Sequence, residues 1–131
     1  MSFANDVRRF SIKSGDALDK TVRAVTISLF TGIIRDTPVD TGRARGAWET
    51  TVGQASTSTP ERLDKTGSLA MAEVVANTPP GAGQATYIAN NLPYIVQLEE
   101  GSSKQAPEGM VRRNMDRIER NLKREVGRNK V

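Results

Sequence analysis

Apolar side chains recur at helical spacing near both ends of this chain, and that limits its possible folds more than any other feature. Near the start, Leu18, Val22, Val25, Leu29 and Ile33 are spaced 4, 3, 4 and 4. Near the end, Val111, Met115, Ile118, Leu122 and Val126 repeat that spacing. Such a series draws one stripe along a helix of 3.6 residues per turn. The spacing predicts helix over residues 3–36, with Phe3, Val7 and Phe10 as a shorter upstream stripe and Ser14-Gly15-Asp16 as a break or bend. Pro38 ends it, because the residue before a proline is pushed out of the helical region. The last helix is expected to open at Pro107, with Glu108 at the positive end of its dipole. Three i,i+4 pairs with the acid first support it: Glu108–Arg112, Asp116–Arg120 and Glu119–Lys123.

Between these helices the pattern shortens. Residues 47–56 alternate around Trp48, Thr50 and Val52, as a half-buried strand does. Residues 68–78 read as a short helix with Leu69, Ala72, Val75 and Ala76 on one side. Residues 85–91 read as a strand with Tyr87 and Ala89 on one face. Residues 93–101 fit either a strand or a short helix opened by Pro93 and stopped by Gly101. Stretches 55–67 and 79–84 are loops and candidate contact arms; Pro79-Pro80 and Gly81/Gly83 keep the second out of regular structure. The expected fold is α+β and one domain over residues 1–131. A long N-terminal helix and a C-terminal helix would pack on an antiparallel sheet of three or four strands, with a short middle helix and extended loops.

Composition narrows the chemistry. Apolar residues are 37% of the 131, below the usual ~45–50% (a figure that includes Gly), so the core is thin and a partner would complete it. The absence of cysteine removes disulfides and thiolate chemistry. The absence of histidine removes the commonest general base and metal ligand. Carboxylates alone remain, in no metal-binding pattern, so neither a metal nor another cofactor is expected. No apolar run approaches the ~20 residues of a membrane span, and no signal-peptide core is present, so no membrane partner is expected. The net charge of +4 is concentrated: residues 107–131 hold eight cations against four anions, and the rest is balanced.

Asp40-Thr41-Gly42 spells the tripeptide that carries the catalytic carboxylate of aspartic proteases. That dyad needs two carboxylates sharing a proton between buried strands. Asp40 instead follows a helix, and Arg43 and Arg45 nearby favour its charged form. A turn held by Asp40 and Thr41 is the simpler reading. Glu99-Glu100 is no dyad either, since adjacent residues diverge on a strand or a helix; it reads as a solvated or interface acidic spot. No enzymatic activity is expected. For Trp48, Tyr87 and Tyr94 core packing is the first expectation and interface anchoring the second. The basic last helix, with Arg112, Arg113 and Arg117, reads as a solvated face or as a contact for a polyanion. It lacks aromatics for base stacking, so any DNA contact would be to the backbone.

Four stretches in order then resemble a known family. They are Thr37 to Trp48 (TPVDTGRARGAW), Asn90 to Tyr94 (NNLPY), Glu99-Glu100-Gly101, and Ala106 to Met110 (APEGM). With the flanking helices they are similar to the bacteriophage tail-component family named after a gene product of phage HK97. The resemblance runs from about residue 3 to 125. It implies a virion structural protein at the head–tail junction of a long-tailed phage, assembled in the bacterial host cytoplasm. It implies a homo-oligomeric ring around the DNA channel, expected to be sixfold, between head-closure or connector proteins and tail-terminator or tail-tube proteins. Non-specific contact with channel DNA would follow, and no catalytic residues transfer. Arg43, Arg45, Tyr94, Glu99, Glu100, Arg112, Arg113 and Arg117 are the candidate interface residues. The alternative is a small basic nucleic-acid-binding protein that uses its last helix.

Overall fold

The computed structural model describes residues 19–80 and 83–129. The expected helical stretch at 3–18 and the loop tip at Gly81 and Ala82 lie outside the described residues. In chain order the elements are α1 (Asp19–Asp36), α2 (Arg43–Gly46), β1 (Glu49–Val52), α3 (Ser68–Asn77), β2 (Thr86–Ala89), α4 (Ile95–Glu99) and α5 (Val111–Asn129).

α1 is the central element, packing on both α3 and α5. The apolar stripe read from the sequence faces inward, with Val22, Leu29 and Ile33 buried. Phe30 and Ile34 widen it, each fully buried. Across from them lie Trp48 just before β1, Val74 of α3, Ile88 of β2 and Met110 before α5. Val111, Met115 and Ile118 on the inner face of α5 complete this core. Tyr94, in contrast, is 39% exposed and anchors no core.

The sheet is smaller than expected. Among the described residues it has two antiparallel strands, with Thr50 opposite Ile88 and Val52 opposite Thr86. Trp48 and Thr50 point inward as the alternation predicts, while Val52 reaches solvent. α3 supplies what a third strand would. Thr50 N donates to Glu73 Oε1 at 2.9 Å, and Thr50 O accepts from Asn77 Nδ2 at 2.9 Å. Glu73 and Asn77 are one helical turn apart, so together they satisfy the outer edge of β1 at this residue. Arg62 continues the edge, donating to Gly46 O at 2.6 Å and Trp48 O at 2.7 Å and pairing with Glu73 at 3.2 Å.

Stretch 55–67 is bonded to its own chain at several points, while Leu63 within it is 70% exposed. Ser56 and Ser58 hydroxyls donate to Glu49 Oε1, and Asn91 Nδ2 donates to the carbonyls of both serines. Asp64, buried, accepts from Ala70 N at 3.0 Å, which satisfies a free N–H in the first turn of α3.

α3 itself is turned about its axis from the sequence expectation. Ala70 and Val74 face the core, whereas Leu69, Ala72, Val75 and Ala76 are exposed. α5 begins at Val111, not at Pro107. Of the three expected i,i+4 pairs, Glu119–Lys123 forms at 3.1 Å, and Arg112 pairs with Glu99 instead of Glu108.

Candidate functional site

The stretch Thr37 to Trp48 folds around two side chains. Thr37 ends α1: its hydroxyl donates to Ile33 O at 2.7 Å and accepts from the Trp48 indole N–H at 2.8 Å. Arg45, expected at a subunit surface, turns inward. Its guanidinium donates to Arg35 O at 2.7 Å, Thr37 O at 2.9 Å and Lys65 O at 2.6 Å. The first two carbonyls lie at the C-terminal end of α1, where a cation also complements the helix dipole. Thr41 Oγ1 accepts from Arg43 N at 3.3 Å, as the turn reading predicts, and Asp40 is exposed.

The other motif stretches lock onto this one. Asn90 Nδ2 donates to Ala44 O at 2.9 Å, and Leu92 packs with Ala44 and Ala47. Ile95 and Leu98 of α4 join both apolar clusters. The Gln105 side-chain amide brackets Val39: its oxygen accepts from Val39 N at 2.8 Å and its nitrogen donates to Val39 O at 3.1 Å.

Glu99 is no solvated acid. Its Oε1 accepts from Met110 N and Val111 N, each at 2.8 Å, and its Oε2 accepts from Arg112 N at 3.1 Å and Arg112 Nε at 3.2 Å. The Arg112 guanidinium also donates to Glu99 O. A carboxylate on the first N–H groups of a helix satisfies orphan donors and complements the dipole. Gly109 makes this approach possible. It has φ +79°, and a Cβ there would run into Glu99 O. The E-x-G and A-P-x-G-M stretches are therefore the two halves of one clasp that fixes the start of α5. Glu100, beside it, is exposed.

Beside the Thr37 to Trp48 stretch is an open groove of about 290 Å³. Pro38, Ala44 and Leu98 give it an apolar floor, and Asp40, Arg43 and Tyr94 stand on its walls. Asp40, Arg43 and Tyr94 are exposed, and the Arg43 guanidinium makes no hydrogen bond or ion pair among the described residues. The groove carries an acid, a cation and a phenol over an apolar base, a mixture suited to a protein surface.

The basic residues of α5 are spent differently from the sequence expectation. Arg117 lies in the seam between α5 and α1, donating to Ser28 O at 3.0 Å, Ser28 Oγ at 3.3 Å and Asn114 Oδ1 at 3.0 Å. Asn114, 1% exposed, donates to Asp36 Oδ2 at 2.9 Å and Met110 O at 2.7 Å. Arg113 stands 3.9 Å from Asp36. Further along α5, Arg120, Lys123 and Arg124 are exposed, as are Arg112 and Arg113 beside their acidic partners.

Of the eight candidate residues, the structure places Arg43 and Tyr94 on the groove, Glu99 and Arg112 in the clasp, and Arg113 and Arg117 on the α1–α5 seam. Sequence reasoning passed over Arg62 and Asp64, and over Asn114 and Gln105, whose partners Asp36 and Val39 lie 78 and 66 residues away. No helix among the described residues is long and apolar enough to cross a membrane. Comparison with protein-family models, with curated proteins and with solved structures finds no match to this chain.

Proposed function

We propose that this chain is a virion structural protein of a long-tailed phage, joining head to tail as one subunit of a ring around the DNA channel. The supporting observation is that the motif stretches bond in pairs, the first with the second and the third with the fourth, with Gln105 beside the fourth bracketing Val39 of the first. Thr37 holds Trp48, Asn90 holds Ala44, and Glu99 holds Met110 and Val111. These bonds give the motif residues an architectural role, which supports the reading. Subunits packing head to tail generate a closed ring when the rotation closes. The groove beside Arg43 and Tyr94 would take the neighbouring subunit or the adjacent ring. The outward cations Arg120, Lys123 and Arg124 would meet either channel DNA or an acidic connector surface.

The test is size-exclusion chromatography with light scattering at two concentrations, read at 260 and 280 nm, with electron microscopy of the peak. The expected result is a ring with a mass near six times 14.3 kDa and no nucleic acid. A chain that stays monomeric at every concentration, or a small species carrying nucleic acid, would overturn the ring.

A further inference from the structure

The stretch just before α3 alternates. From Glu61 to Lys65 the side chains run exposed, half-buried, exposed, buried, exposed. Arg62 and Asp64 turn inward, Arg62 to the carbonyls of Gly46 and Trp48 and Asp64 to the first turn of α3. Successive side chains of an extended chain point to opposite sides. Glu61, Leu63 and Lys65 therefore stand outward in one row, about 6–7 Å from one to the next. Leu63, at 70%, is the most exposed large apolar side chain among the described residues. The charges on either side of it are free: among the described residues, the Glu61 carboxylate and the Lys65 ammonium make no hydrogen bond or ion pair.

The groove beside Arg43 carries the complement. Its floor of Pro38, Ala44 and Leu98 is apolar, and Arg43 and Asp40 stand on its walls. Among the described residues, neither the Arg43 guanidinium nor the Asp40 carboxylate is paired. An acid, a leucine and a base on one surface thus match a base, an apolar floor and an acid on another. The row does not fill the groove of its own chain, because Leu63 is exposed. α2 stands between them. A Cβ at Gly42 would strike the backbone of Asp64 and Lys65, and one at Gly46 would strike Arg62 O, whereas Arg43 and Ala44 line the groove.

We propose, on the ring reading above, that the row of one copy docks in the groove of the next. Leu63 sits on the apolar floor, Glu61 pairs with Arg43 and Lys65 pairs with Asp40. The groove, at about 290 Å³, has room for one leucine side chain. Two different patches of the same chain then meet, which is the heterologous contact that repeats around a ring. The apolar centre excludes water, and the flanking charges fix partner and register. Reversing the row in the groove would set Glu61 against Asp40 and Lys65 against Arg43, so one orientation is favoured.

The chain has no cysteine, so each copy can carry one chosen thiol. Full-length K65C copies are mixed with D40C copies and oxidised, beside a control mixture of K65C with R120C copies. All three positions are exposed, and Leu63, Glu61 and Arg43 stay in place. Disulfides between unlike copies are expected to form about tenfold faster than in the control. In the cysteine-free chain, E61R and R43E are each expected to weaken self-association about tenfold, and E61R/R43E to restore it. A ring that forms while the mixed thiols couple at the control rate and both single reversals leave it intact would overturn this contact. The ring would stand, and the groove would belong to a different protein. A parent chain that stays monomeric overturns the ring, and the crosslinking then decides the contact alone: coupling at the control rate overturns it as well.

Discussion

Glu99 shows how much one side chain does in this fold. Its carboxylate holds three consecutive N–H groups at the start of α5 and the Arg112 side chain. Losing a helix cap costs about 0.5–2 kcal/mol, and a charged hydrogen bond about 1.5–3 kcal/mol. Glu99→Ala is therefore expected to lower stability by about 2 kcal/mol, read as a drop in the urea midpoint without a change in slope. An unchanged midpoint would remove Glu99 from the clasp. Thr37→Val is expected to cost about 1–3 kcal/mol, because it leaves the buried Trp48 indole N–H without an acceptor. Tryptophan emission reports it directly, since the chain has one tryptophan. The sequence made Thr37 and Pro38 legible as a helix end, because those rules are local. It did not make the cap legible, because Glu99 stands outside the helix it caps and the chain turns twice between them.

Helices were legible to different degrees. α5 has a charged outer face, and α1 has charged ends with Ala, Ser and Thr between them, so their apolar stripes pointed one way. α3 reads Ser-Leu-Ala-Met-Ala-Glu-Val-Val-Ala-Asn, small and apolar on most sides. Periodicity finds a helix there but cannot choose its inner face. Packing chose Ala70 and Val74, which let α1 approach. The third strand expected from the sequence is replaced by Glu73 and Asn77, whose role needs tertiary contact to be visible. At the α1–α5 seam, Gly32 admits Asn114 and Arg117; a Cβ there would strike both side chains. Gly32→Ala is expected to destabilise by about 1–3 kcal/mol through overpacking, against a gain of up to ~1 kcal/mol in helix propensity. A net stabilisation in thermal melting would show that the seam is loose.

Across the whole molecule, the positive charge divides into structural and outward parts. Arg112, Arg113 and Arg117 are engaged by Glu99, Asp36 and Ser28. Reversing Arg117 would therefore test the fold before it tested any partner. Arg120 and Arg124 are exposed and separate the two effects. R120E/R124E is expected to stay within about 0.5 kcal/mol of the parent in urea unfolding. On the head–tail role proposed above, phage particles assembled with it are expected to lose infectivity. Full infectivity would take this basic face out of the joining mechanism.

The clasp and the seam also differ in when they can form. Glu99 and Arg112 are 13 residues apart, whereas Asn114–Asp36 and Arg117–Ser28 close 78 and 89 residues. Closing a long loop costs more entropy, and contacts local in sequence tend to form sooner. A nucleus built on α4, the turn and the first turn of α5 would put Glu99 in the folding transition state and leave Arg117 to lock afterwards. Glu99→Ala should then slow refolding, while Arg117→Ala should mainly speed unfolding. That order would shape the motif corner before the long helices close over it.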